Sequence, residues 1–299
     1  MKRKRFSVEQ GAPPREPLVD DGMSPRQQCG HQPNSRLKIV SGKGAGIPQL
    51  APGSGDLLTS LENANRDALE KEVHVWTFRA DLSGDACGKL YALLSRDEKA
   101  KADRFKFAIH RTRSIAARAA LRLLAAQYVG IPAPELRFTY SSHGKPSLDG
   151  LPPANDVAFN LSHSGDYGVV AFTRRRGIGI DLEHVRERHK HARLAERYFS
   201  PRENVWLRTL PPQESLRAFY RLWVVKEAWL KATGKGLSVP LREVEVEFGA
   251  CGEVALRGPE ALGGEWYAQE LDLVPGYASA LVVEGKPCAL KTWALDLNA

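Results

Sequence analysis

The stretch QESLRAFYRLWVVKEAWLKAT, residues 213 to 233, decides the reading of this chain, because it sets one carboxylate into a strongly apolar helical pattern. Leu216, Phe219, Trp223 and Leu230 recur with the helical period and define a core-facing side. Glu227 falls in the middle of that side, and Lys231 stands one turn further on, at i+4. An ionised carboxylate facing a core is costly unless a cation or a set of donors compensates it. A positive group is therefore expected beside Glu227.

Upstream, GIGIDLEHV at 177 to 185 alternates as a strand, with Ile178, Ile180 and Leu182 on one face and Gly179, Asp181 and Glu183 on the other. Two carboxylates project in parallel beside a glycine that leaves room for a ligand near the backbone. Taken singly, the pair reads as a solvated strand face. Glu227 with Lys231 likewise reads as a surface pair worth about 0.3–0.5 kcal/mol. Taken together, Asp181, Glu183 and Glu227 form a carboxylate set without histidine or thiolate. Such a set suits Mg2+, which completes its octahedron with waters and phosphate oxygens. The expected substrate is a phosphate ester or anhydride.

The 299 residues suffice for one large domain or two modest ones. The net charge of +8 points to an anionic partner without saying which kind. Cys29, Cys87, Cys251 and Cys288 are widely spaced and suggest neither a zinc site nor a disulfide framework. Without an apolar run of membrane length or a signal-peptide core, a soluble cytoplasmic protein is the expectation.

The first 55 residues hold eight Gly, seven Pro and one aromatic residue, Phe6, too little apolar surface to offset the entropy of ordering. A disordered leader is expected over 1–71, followed by an N-terminal α+β half at 72–176 and a C-terminal α+β half at 177–299. VHVWTF at 73 to 78 reads as the first strand, and a helix follows Ser95. Ala117, Leu121, Leu124 and Tyr128 mark a longer helix that Gly130 and Pro132 stop. VAFNLSHS and YGVVAF flank the hairpin signal Gly165-Asp166. After the long helix, strands are expected near 243–248, 265–273, 278–284 and 290–295. Two halves of similar content suggest a duplicated unit with its site at the interface.

The order of four motifs, GKP at 144–146, FNLSHSG at 159–165, GIGIDLE at 177–183 and LWVVKEAWLKATGKGLS at 222–238, resembles the 4'-phosphopantetheinyl transferases of the surfactin-synthetase activating (Sfp) type. The resemblance covers most of 72–296. It implies a pseudo-dimer of two α+β halves with coenzyme A and Mg2+ in the cleft between them. It makes Asp181, Glu183 and Glu227 the metal carboxylates, and it places Lys231, Ser162 and His163 on the coenzyme A phosphates. Gly144 and Lys145 match the loop beside the adenine and its ribose phosphate, while Lys101, Arg113 and Ser114 match a cluster that receives the 3'-phosphate. Glu98 departs from the pattern, standing where some members carry a lysine, so the 3'-phosphate grip would be weaker or shared with Arg104 or Arg111.

The implied reaction moves the phosphopantetheine arm of coenzyme A onto a serine of an apo acyl or peptidyl carrier protein, releasing 3',5'-adenosine bisphosphate, with the enzyme a monomer. Asp181, Glu227 and Lys231 are then the catalytic set. The basic segment RERHKHARLAER, 186 to 197, with Leu194 as an apolar anchor, is the expected carrier-docking surface. Two rivals remain: a nucleic-acid-binding protein using the basic leader and the Arg174-Arg175-Arg176 turn, and a noncatalytic coenzyme A-binding protein on the same fold. His184, His189 and His191 give no closed set of transition-metal ligands.

Overall fold

The structure, a computed structural model, describes residues 66–152, 156–187, 191–249, 252–258 and 264–299. The leader expectation falls outside these residues up to 65, but its last positions depart from it. Asp67–Glu70 form a 3-10 turn with Leu69 fully buried, and Glu70 accepts a hydrogen bond from Arg174 at 2.8 Å. The fold therefore starts before residue 72.

One sheet combines β1 (Glu72–Arg79), β4 (Val157–Ser164), β5 (Tyr167–Arg174) and β11 (Ala289–Leu295) in the order β11-β1-β5-β4. The other runs β6-β10-β9-β8-β7, from β6 (Ile178–His184) and β10 (Tyr277–Glu284) through β9 (Trp266–Glu270) and β8 (Val254–Arg257) to β7 (Glu245–Phe248). A short hairpin pairs β2 (Phe138–Tyr140) with β3 (Pro146–Leu148). The fold is α+β. Strand β8 and helix α1 (Gly84–Ala92) were not foreseen, since β8 has four residues and α1 carries two glycines.

Helices α2 (Arg96–Ala102) and α3 (Ala108–Val129) complete the first half. Gly130, at φ +72°, ends α3 in the left-handed conformation the sequence signals. The second half contains α4 (His191–Tyr198), α5 (Pro201–Thr209) and α6 (Pro212–Thr233). A boundary at 176/177 separates the sheets except at the end of the chain. There β11 returns to pair with β1 in parallel, and Trp293 stacks on Trp76 with ring centroids 4.8 Å apart. The second half thus contributes a strand and a tryptophan to the first.

On helix α6 the expected core positions Leu216, Phe219 and Leu230 are buried and Trp223 packs against them, but the buried surface is wider than one face. The helix is buried on several sides, with Leu222, Val225, Ala228 and Trp229 in the core, while Trp223, Glu227 and Lys231 share a half-buried stripe at i, i+4 and i+8. The fully buried ion of this helix is Lys226. Its ammonium meets Glu203 at 2.7 Å and donates to the carbonyls of Leu241, at 3.0 Å, and Val244. An amphipathic reading expects one polar side, and a helix enclosed on several sides does not supply one.

Gly179 also has a different role from the one expected. A Cβ there would lie 1.9 Å from the carbonyl oxygen of Ala228 and 2.4 Å from the nitrogen of Ala232, so the close neighbour is the backbone of α6 and not a ligand. Replacing Gly179 by Ala should force the helix off the strand and destabilise the fold by about 1–3 kcal/mol or more. A melting temperature equal to wild type would contradict this packing.

Candidate active site

Strands β4 and β6 are edge strands of their own sheets, and their backbone groups need partners. Side chains of β4 supply them. Asn160 accepts from the Ile180 N–H at 2.9 Å, Ser162 from Leu182 at 3.3 Å and Ser164 from His184 at 3.2 Å. The two serines also donate in the other direction, Ser162 to Asp181 at 2.8 Å and Ser164 to Glu183 at 2.7 Å. A ladder of period two along β4 therefore joins the halves and aims both carboxylates of β6. The signal was present as Asn160-x-Ser162-x-Ser164, but sequence reasoning missed Asn160 and Ser164.

Ser162 is engaged with three groups of the second half. Its hydroxyl donates to Asp181 and accepts from Leu182 and, at 3.0 Å, from the Lys231 ammonium, which fills the capacity of one hydroxyl. Ser162 thus has a positioning role at the strand edge beside the coenzyme A contact the resemblance implies. Lys231 in turn pairs with Asp181 at 2.6 Å and donates to the carbonyl of Ile180 at 3.2 Å. This ammonium clamps α6 onto β6.

The other Asp181 oxygen, Oδ2, is buried and has no hydrogen-bond partner among the described residues. Glu227 makes no hydrogen bond to the described residues, and burial, with the charges of Asp181 and then Glu183, pushes its carboxyl up to about 7 against the opposing pull of Lys231. Among the described residues, no three His, Cys, Asp or Glu side chains converge as a ready-made metal centre. The expected trio is nevertheless electrostatically linked, and the free Asp181 oxygen and under-compensated Glu227 are hard oxygen donors of the kind Mg2+ takes. The donor chemistry fits the ion.

His163 is open to solvent but lies in a crowded cleft, where desolvation first, then Lys231 and Arg113, hold its imidazole below the ordinary value. Arg113 pairs with Asp166 at 2.6 Å, and its Nε–H is buried with no partner among the described residues, a donor suited to an anion. Ser114 is half-buried and makes no hydrogen bond to the described residues. Lys101 is exposed, 3.8 Å from Asp97 and 4.6 Å from the centre of the Tyr140 ring.

Lys145 is turned inward. Its ammonium donates to Ala232 at 2.9 Å and Ile178 at 3.1 Å, and burial lowers its pKa to about 8. A cation at the carbonyl end of α6 is favourable. This contact ties the Gly144 turn, at φ +84°, to the helix and leaves the expected nucleotide contact to the exposed face of that turn. Glu98 is no substitute for a phosphate lysine either. It is buried, caps Ser95 and pairs with Arg122 at 2.6 Å and Arg118 at 3.3 Å. Arg111 is likewise held by Asp103 at 2.9 Å.

His184 stacks on Tyr277 at 4.7 Å and His191 packs near Phe219, while His189 lies outside the described residues. Leu194 is half-buried and packs against the core of the second half. In the basic turn, Arg174 is buried against Glu70 and Arg176 donates to the carbonyl of Lys286, which removes two of the three arginines from a nucleic-acid surface. No helix among the described residues is long and apolar enough to cross a membrane.

Residues 177–282 match the 4'-phosphopantetheinyl transferase superfamily, and residues 83–175 match the N-terminal family of 4'-phosphopantetheinyl transferases. The chain is 37% identical over 229 residues to the 4'-phosphopantetheinyl transferase HetI of Nostoc sp., covering 77% of this chain and 94% of that protein. It is 30% identical over 200 residues to the 4'-phosphopantetheinyl transferase Sfp of Bacillus subtilis, covering 67% of this chain and 86% of that one. The holo-[acyl-carrier-protein] synthase structure from Thermotoga maritima aligns with 37% of this chain and 64% of its own at 26% identity, with a TM-score of 0.32, too low to add to the fold described above. The chain belongs to the 4'-phosphopantetheinyl transferase superfamily and is an enzyme of that class.

Proposed function

We propose that the cleft along the β4–β6 seam binds coenzyme A and passes its phosphopantetheine arm to a carrier-protein serine, with Asp181, Glu183 and Glu227 holding Mg2+. The observation that carries this reading is the coincidence, at one seam, of the unpartnered Asp181 oxygen, the high-pKa Glu227 and the cations Lys231 and Arg113. The ion, when bound, supplies charge neutralisation on pyrophosphate oxygens. Lys231 places a fixed positive group beside the same carboxylates. Arg113, through its free Nε–H, receives the 3'-phosphate with Ser114 and Lys101 at the rim, and His163 donates to a phosphate oxygen. Glu227 accepts the proton of the incoming serine. The serine oxygen bonds to the phosphorus bearing the pantetheine, and the bridging oxygen leaves on 3',5'-adenosine bisphosphate.

Incubating the protein with coenzyme A, Mg2+ and an apo carrier should add the mass of the arm to the carrier. Asp181→Asn keeps an acceptor for Ser162 but removes the charge, and it should lower transfer by at least about 100-fold while the protein still melts cooperatively. Turnover near wild type at saturating Mg2+ would remove Asp181 from the site. A noncatalytic coenzyme A-binding protein would hold the nucleotide and leave the carrier mass unchanged.

A further inference from the structure

Among the described residues, Phe105, Phe107 and Ile109 stand in solvent at 47%, 50% and 53% exposure, within five positions of one another. They occupy the link from α2 to α3 and the first turn of α3. The run RFKFAIHRTR, 104 to 113, holds Arg104, Lys106, Arg111 and Arg113 and no carboxylate. Its rings meet only local neighbours in these contacts: the His110 ring centre lies 6.3 Å from that of Phe105 and 6.0 Å from that of Phe107, and the Lys106 ammonium lies 5.9 Å from the Phe107 ring centre. Neither phenylalanine enters the core, which on α3 begins at Ile115.

A depression of about 350 Å³ lies between α1 and the start of α3, lined in part by Gly88, Tyr91, Arg111 and Thr112. A Cβ at Gly84 or Gly88 would meet nothing within 4 Å, so α1 presents a bare face to it. Arg113 stands six residues beyond Phe107, about 9 Å along the helix axis, and reaches Asp166 in the cleft. The patch and the cleft are thus served by one helix.

We propose that this surface docks the carrier domain through an acidic amphipathic helix. Its apolar side would cover Phe105, Phe107 and Ile109, and its carboxylates would face Arg104 and Lys106. The inference rests on the transferase reading, since that reaction needs a protein acceptor held with its serine at the cleft. Exposed aromatic anchors in a cationic rim are what such an interface uses, and clustered apolar exposure marks an interaction site. Arg111 and Arg113 are paired with Asp103 and Asp166, so Arg104 and Lys106, on a chain of charge +8, are the cations that favour an acidic partner.

The test uses the full chain with Phe105→Ser and Phe107→Ser together, coenzyme A, Mg2+ and an apo acyl carrier protein. The KM for the carrier should rise at least about tenfold, with kcat, the KM for coenzyme A and the melting temperature unchanged. Affinity for a carrier whose acceptor serine is replaced by alanine should weaken in parallel. Lys106→Glu, at a solvent position, should flatten the salt dependence of the carrier KM. Unchanged carrier KM and affinity would overturn the inference, as would an unchanged KM accompanied by lost self-association or lost binding to anionic phosphatidylserine vesicles. A wild-type protein that modifies and binds no carrier would instead fail the transferase reading itself.

Discussion

Glu227→Gln should lower carrier modification by at least about 100-fold, the low end of a general-base contribution, while raising stability in the absence of Mg2+. The two effects separate chemistry from packing. In the folded protein the Glu227 carboxyl is pushed up to about 7 by burial and by Asp181, so the folded state keeps a proton that the unfolded chain releases at lower pH. Wild-type stability therefore falls as pH rises from the ordinary carboxylate range toward 7. The Gln variant has no such proton to lose. Its advantage should grow through that window and level off above pH 7 at roughly 2–3 kcal/mol. Adding Mg2+ should raise the wild-type melting temperature and leave the variant's nearly unmoved. Unchanged turnover would remove Glu227 from the active site, and a pH-independent stability difference would contradict its environment.

Lys226→Ala should be the most destabilising single change in the second half, at about 3–5 kcal/mol, the cost of leaving a buried ion without its partner. Glu203 would be that ion. It is buried, accepts from the N–H groups of Ser200 at 2.8 Å and Val246 at 2.9 Å, and relies on the Lys226 ammonium 2.7 Å away. Replacing the pair together, Lys226→Met with Glu203→Gln, should recover a substantial part of the loss, since neither charge is then stranded. Denaturant unfolding of Lys226→Met, Glu203→Gln and the double variant measures the coupling. Additive effects would show that the two residues do not act as one unit.

Much of the element order was legible along the chain, because periods of two and 3.6 are local properties. The strands at β1, β4, β5 and β6 and the two 22-residue helices followed from alternation and stop signals. The same locality explains the failures. Four residues of β8 carry too little pattern, and α1 hides its helix behind Gly84 and Gly88. The pairing of β11 with β1 spans the whole domain and leaves no trace in either strand's own pattern.

At the site, the sequence by itself determined the chemical types: the carboxylates Asp181, Glu183 and Glu227, the cation Lys231 and the order of motifs that shows the family. Tertiary structure alone decided what each residue is free to do. Ser162 is spent on a strand edge, Lys145 on a helix end and Glu98 on two arginines, whereas Asp181 keeps one oxygen and Arg113 one N–H without a partner. The reason is that a polar atom's availability depends on which distant groups fill its hydrogen-bonding capacity, and those partners lie 19 to 87 positions away in the chain.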